Sequence, residues 1–359
     1  MRSSLLSEPL ELTLDVVPRA RFDMLDLRGR LSLDERRSLA PYPNCVCWSS
    51  HTTAGFLDRS MASRLGPNEG IAAYVDAFRT IFPEGAPYEH DQLDRRTELN
   101  PAQRHLEPRN GDSHLAFIAA GLKTCVAYSN RPDQPLCFVD LDGVHAGRAR
   151  RRRTRIIGYR EEEQVARLRI EVPVSPHPVD SVNLKDPRLG IHEQLGDLVA
   201  RHDVRKGRVR LTLNDTEHHA GLTVNEYETL LMRHDLLEVL RNPLRFAVEK
   251  ARHAIADPRA VPAKTLDYAK YDLVHIVNRL VDRLGLRESM VERLLSRTLA
   301  VPAARFLRMK RSVSLLVSEG QNGGRAGLVE GTYQSTILVQ WHRAPRPTRL
   351  IDATLTRFN

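Results

Sequence analysis

The chain has 359 residues, 41% hydrophobic and 28% charged, with 54 Lys and Arg against 45 Asp and Glu for a net charge of +9. This length favours two domains over one core, no apolar run approaches the roughly 20 residues that span a bilayer, and the first residues lack the apolar stretch of a secretory signal, so a cytoplasmic protein outside the membrane is expected. Four cysteines are too few for a disulfide framework, and the positive balance favours an anionic partner, a phosphorylated small molecule as readily as nucleic acid.

Residues 11–17 and 21–27 alternate enough to read as two paired strands. A strand-like run, Cys45-Val46-Cys47-Trp48-Ser49-Ser50, then leads into His51. Cys45 and Cys47 share one face of it, where two small apolar side chains filling a core are favoured over metal ligands. From 68 to 82 the apolar residues Ile71, Val75, Phe78 and Ile81 recur at helical spacing, and Pro83-Glu84-Gly85-Ala86-Pro87 stops the helix. A polar loop over 88–109 carries His90, and Asn110-Gly111-Asp112-Ser113-His114 is a turn that feeds a further helix. Residues 124–128, 136–141 and 154–159 read as closing strands of an antiparallel sheet. The run Gly147-Arg148-Ala149-Arg150-Arg151-Arg152-Arg153-Thr154-Arg155 has no interleaved aromatic stacking set. Its side chains alternate between two faces, so an anion site or a solvated strand is expected rather than nucleic-acid binding.

Past Glu161-Glu162-Glu163 the chain repeats itself. His51-Thr52-Thr53-Ala54-Gly55-Phe56 returns as Glu217-His218-His219-Ala220-Gly221-Leu222, and Gln134-Pro135-Leu136-Cys137-Phe138-Val139-Asp140-Leu141 as Gln334-Ser335-Thr336-Ile337-Leu338-Val339-Gln340-Trp341, each of the latter followed by arginines. Gly55 to Gln134 spans 79 positions and Gly221 to Gln334 spans 113, a difference of 34. The expected architecture is two domains, 1–160 and 161–359, the second enlarged by a helical insertion over about 244–310 with Leu273, Ile276, Val277, Leu280, Val281 and Leu284 on one face.

His51, His90 and His114 read as one metal site assembled from separate elements. Three imidazoles with an open coordination position suit a catalytic ion, because a closed structural site needs a fourth protein ligand. Zinc is the first choice, and imidazole also suits nickel, copper and ferrous iron. Arg95, Arg96, Arg109 and Gln134, with the Thr52 and Thr53 hydroxyls, are candidates for holding an anionic substrate. Asp91, Asp94 or Glu107 are placed to orient a histidine or move a proton. His218 and His219 are adjacent, so on a strand they face opposite ways and serve one ion poorly. Trp341 and His342 carry no signal beyond packing.

Over about residues 10–160 the chain resembles the YjbQ-like family, a group described as secondary thiamine-phosphate synthases. The matching phrases are His51-Thr52-Thr53-Ala54, Tyr88-Glu89-His90-Asp91, Glu107-Pro108-Arg109-Asn110-Gly111-Asp112-Ser113-His114, and Gln134 through Asp142 with the arginine-rich strand after it. Where the family has Gly-Thr-Trp before its glutamine, the first repeat has Arg131-Pro132-Asp133. The second keeps Gly331-Thr332-Tyr333-Gln334 but replaces the first histidine by Glu217 and has no counterpart of His114 near 304–306. The resemblance implies an α+β fold of antiparallel β-sheet sandwiches with flanking helices, commonly trimeric. It also implies the three histidines on a divalent metal beside a subunit boundary, one contact of which a tandem pair replaces within the chain.

The expected function is a metal-dependent enzyme, a transferase (condensation) or a hydrolase, acting on a small phosphorylated substrate within a homo-oligomer. Glu107, Asp94 and Thr52 would be catalytic and Arg95, Arg109, Gln134 and Thr53 substrate-binding. The competing expectation is a ligand-binding or assembly protein whose metal is structural.

Overall fold

A computed structural model describes residues 8–66, 68–96, 100–145, 147–177, 180–226, 310–319 and 325–359. They fall into two units, the first made of residues 8–59, 122–226 and 310–359, the second of residues 60–121. The helical insertion expected over 244–310 lies outside the described residues except for Lys310, and so does the segment near 304–306.

In chain order the first unit opens with β1 (Leu10–Val16), β2 (Asp23–Asp26), α1 (Leu27–Arg30), α2 (Leu33–Leu39), β3 (Asn44–Ser49) and β4 (Ala54–Gly55). The second unit supplies α3 (Arg59–Leu65), α4 (Asn68–Ile81), α5 (Pro101–Leu106) and α6 (Gly111–Ala120). The chain returns to the first unit as β5 (Cys125–Ser129), β6 (Cys137–Asp140), a small hairpin of β7 (Val144–His145) and β8 (Arg148–Ala149), and β9 (Arg152–Tyr159). Then follow β10 (Glu162–Pro173), β11 (Asp180–Asn183), α7 (Ile191–Arg201), β12 (Gly207–Leu213) and β13 (Ala220–Asn225), and finally β14 (Ser312–Ser318), β15 (Gly327–Val329), β16 (Ser335–Gln340) and β17 (Thr348–Phe358).

The fold is mixed α+β with antiparallel sheets. Before residue 160 the strands form a four-stranded sheet β1-β9-β3-β5 and a three-stranded sheet β2-β6-β4; after it they form β10-β17-β12-β14-β15 and β11-β16-β13. Strand by strand the two orders coincide, with β15 as the addition, and α2 and α7 occupy the same place between the second and third strands. The expected pairing of 11–17 with 21–27 is corrected. β1 pairs with β9 and β2 with β6, because the pleat of each strand is satisfied by a partner from the end of the half rather than by its neighbour. Sequence reading also passed over α2, whose start is a capping box: Glu35 N donates to Ser32 Oγ (3.2 Å) and Ser32 N to Glu35 Oε2 (2.7 Å). The loop over 88–109 holds α5 and two 3-10 turns, Glu89–Asp91 and Leu93–Arg95.

Alternation along β3 explains how the first unit holds together. Cys45 and Cys47 point into the core of the first half with Leu14, Val16 and Ile156, while Val46 and Trp48 point the other way, into a cluster that includes Leu316 and Phe358 of the second half. There the Tyr159 and Phe358 rings stack at 4.3 Å and 10°. The expected core role of the two cysteines agrees with this, and a hydrogen bond with Cys45 that favours the neutral thiol, together with burial, pushes Cys47 well above its usual range.

A polar tie joins the halves at the turn that carries His51. Gln334 Nε2 donates to the main-chain oxygens of Ser49 (2.8 Å) and His51 (2.9 Å), while its Oε1 accepts from Gly331 N (2.9 Å). Gly331 itself runs against the turn, and a Cβ there would collide with the Ser50 carbonyl. Both groups are buried, so removing the amide strands two carbonyls at a cost of about 1–3 kcal/mol each. Gln334→Leu and Gly331→Ala are each expected to lower the urea midpoint with the slope unchanged. A midpoint equal to wild type in both would remove the tie as a determinant of this junction.

In the second unit, α4 shows the expected stripe. Ile71, Val75, Phe78 and Ile81 are buried, and the Tyr74 hydroxyl donates to Ala120 O at the end of α6 (2.9 Å). All ten residues of α6 are buried. Among the described residues no helix is long and apolar enough to cross a membrane.

Candidate functional site

In the first unit the β3–β4 turn is shaped by Ser49, whose hydroxyl donates to Ala54 O (2.8 Å) and accepts from His51 N (3.3 Å). The His51 ring then meets the start of β9: Arg153 N donates to Nε2 (2.9 Å), Ser50 Oγ lies 3.2 Å from the same nitrogen, and Arg152 Nη1 lies 3.5 Å from Nδ1. Arg152 is fully buried and forks onto Asp140, Nε to Oδ2 at 2.7 Å and Nη2 to Oδ1 at 2.8 Å, with a further bond to the Asp142 carbonyl. Arg150 pairs with the Asp142 carboxylate. Burial, then the charges of Arg152 and Arg150, push the His51 imidazole down to about 3. Burial also raises the Asp140 carboxyl, against the pull of Arg152.

The ring is therefore neutral at ordinary pH, as a metal ligand must be. Its Nε2 lone pair, however, is taken by a main-chain N–H, and two guanidinium groups that oppose a proton also oppose a cation at Nδ1.

The second half solves the same problem differently. Glu217 stands where His51 stands, and Gln340 where Asp140 stands. Arg349 donates to Glu217 Oε2 (2.9 Å) and Gln340 Oε1 (2.9 Å), and Leu350 N donates to Glu217 Oε1 (3.0 Å) as Arg153 N does to His51. Each buried arginine has one carboxylate, placed on the strand in one half and in the turn in the other.

In the second unit the residues that begin α6 organise the other two histidines. Gly111 N donates to Asp91 Oδ1 (2.9 Å), and the same oxygen lies 3.0 Å from His90 Nδ1. His114 sits one turn further along α6, and the two rings, both fully buried, are 5.0 Å apart. Gly111 is required because a Cβ there would stand 2.9 Å from the Tyr88 Cβ and 3.2 Å from the His90 Cβ. Asp91 fixes the tautomer with the proton on Nδ1, so the His90 Nε2 lone pair is the one that faces Arg96. The fully buried Arg96 lies 3.4 Å from that nitrogen and 3.2 Å from Glu107 Oε1.

The remaining predicted residues are placed as follows. Thr52 and Thr53 are buried beside His51, and Thr53 O accepts from Leu141 N. Gln134 ends a loop before β6, where its carbonyl accepts from Arg28 Nε (3.4 Å), so Gln334 rather than Gln134 meets the His51 turn. Asp94 and Arg95 are exposed, with Arg95 reaching Glu89 (3.3 Å). Arg109 is exposed and has no carboxylate partner among the described residues. In the arginine run the expected alternation holds. Arg152 faces inward, while Arg153 pairs with Asp15 (3.3 Å) and Arg155 with Glu11 (2.8 Å). Sequence reading missed the roles of Arg152, Asp140 and Gln334. The phrase Gly331-Thr332-Tyr333-Gln334 and the charge of Asp140 in an otherwise apolar strand were the available signals.

The class defined by these features is a mixed α+β chain with two similarly ordered sets of antiparallel sheets. No protein-family model matches the chain, and no curated protein does. Among solved structures it is similar to a YbjQ-like protein of unknown function from Sulfolobus solfataricus P2, at 16% identity over 55% of this chain and 99% of that one, with a TM-score of 0.29. It is also similar to a hypothetical protein from Aeropyrum pernix K1, at 17% identity over 53% and 98% with a TM-score of 0.28. A third is an uncharacterised conserved protein of the YjbQ/UPF0047 family from Clostridium acetobutylicum, at 13% identity over 52% and 98% with a TM-score of 0.27.

The depressed His51 value makes a pH prediction. Below the ordinary histidine value of 6.5 the unfolded chain takes up a proton that the folded chain refuses until about 3, so this residue costs stability progressively as pH falls through that window and nothing above it. His51→Gln keeps an acceptor for Arg153 N–H and removes the titration. Wild type is expected to lose more stability than the variant between pH 7 and pH 4 in urea unfolding. Parallel losses would show that the ring is protonated in the folded state.

Proposed function

We propose that the chain is a tandem duplication of one α+β module whose first copy carries a divalent-metal centre acting on a small phosphorylated substrate by condensation or hydrolysis. The duplication reading is supported by the coincident strand orders and by the equivalent placing of His51 with Glu217 and of Arg152 with Arg349. The metal reading is carried by one observation, the buried His90–His114 pair with a carboxylate on the Nδ1 of His90. That donor set fits a borderline ion such as zinc. His90 and His114 would hold it. His51 stands as the proposed third ligand, less suited by its surroundings for the reasons given above.

When bound, such an ion supplies Lewis-acid polarisation of a substrate oxygen. The chain's own groups do the rest. Asp91 orients His90, Arg96 gives a buried positive charge beside it, Glu107 accepts from Arg96 and would receive a proton, and Arg109, with no carboxylate partner among the described residues, would offer a bidentate donor to phosphate. The proposed setting is a cytoplasmic homo-oligomer.

Metal analysis of the purified protein tests this. His90→Ala and His114→Ala are each expected to lose bound zinc, and Asp91→Asn to weaken it by about 10–100-fold. His51→Ala decides the third ligand. Unchanged zinc content in His114→Ala rejects the centre. The competing reading is a ligand-binding or assembly protein whose metal is structural. It requires chelation to lower the melting temperature while Arg109→Ala leaves binding of inorganic phosphate unchanged; the catalytic reading requires that binding to weaken.

A further inference from the structure

The second half holds a cavity of about 750 Å3 whose lining includes Glu217, His218, His219, His342, Arg343 and Arg346. His218 and His219, expected on a strand with opposed side chains, lie instead in the turn before β13. His219 has φ = 56°, in the left-handed region that a non-glycine residue enters at a cost and that clusters at functional positions. Trp341 N donates to His219 O (3.0 Å) and secures the bent turn. The result is that the His219 and His342 rings face each other with centroids 5.1 Å apart.

His342 Nδ1 lies 3.1 Å from Arg343 O, a carbonyl that can only accept. The Nδ1 proton is thereby fixed, and Nε2 carries a free lone pair. This is the arrangement that prepares an imidazole for a metal.

We infer that His219 and His342 form a second transition-metal site, for zinc, copper(II) or nickel(II), separate from the His90–His114 centre. Two imidazoles leave coordination positions for water or an anion, and Arg343 and Arg346 line the same cavity.

The test uses the full chain carrying His90→Ala and His114→Ala, which separates this site from the one proposed above. Titration with copper(II) is expected to quench the fluorescence of Trp341, adjacent in sequence to His342, and zinc to compete the quenching away. Adding His342→Ala should weaken copper binding more than tenfold. His219→Asn, which tolerates the left-handed backbone, should do the same without unfolding the turn, as near-UV circular dichroism reads. Equal copper affinity in the parent and in both added variants overturns the site. So does loss of binding in His219→Asn alone with His342→Ala unaffected, since the pair is then not the ligand set.

Discussion

A buried guanidinium is among the costliest groups a core can hold unless a counter-charge meets it, and the first unit is arranged around two buried guanidinium groups. Arg152 and Arg349 each enter from the first residues of a long closing strand, and each is met by one carboxylate. In the first half that carboxylate is Asp140, which leaves the β3–β4 turn free to carry an imidazole. In the second half it is Glu217 in the turn itself, with the neutral Gln340 on the strand. The two solutions are interchangeable in charge and differ in what the turn presents. Passage from one to the other requires two coordinated substitutions, because either alone leaves the arginine with two carboxylates or none.

The second unit shows the same economy at the start of α6. A single main-chain N–H fixes Asp91, Asp91 fixes His90, and the helix that provides the N–H carries His114. Backbone geometry there is set by Gly111, since no larger residue admits the Tyr88–His90 turn so close to the helix. The two histidine positions are thus outcomes of one local packing decision.

Much of this was legible in the sequence. The strands near 45–50, 124–128, 136–141 and 154–159 and the helix over 68–82 were visible because alternation or helical spacing persisted for several residues. The internal echo was visible because its phrases fall in turns where residue type is constrained. Pairing was not legible, since which strand lies beside β1 depends on closure across more than a hundred residues, and the pattern in β1 is the same whether β2 or β9 is its neighbour. Nor was the fate of His51. A histidine after a strand reads as a ligand in isolation, and only the arrival of Arg152 and Arg153 N from β9 reveals the positive field and the occupied nitrogen. The turn conformation of His219 was hidden for a similar reason, because two adjacent histidines beside a β-like run give no sign of a positive φ.

Gln334 grips the β3–β4 turn through the main-chain oxygens of Ser49 and His51. Anchorage of that kind is blind to residue identity: it reads the path of the chain and ignores what hangs from it. The segment bearing His51, Thr52 and Thr53 is consequently a fixed frame with exchangeable contents, on which new chemistry can be tried while the join between the halves stays shut.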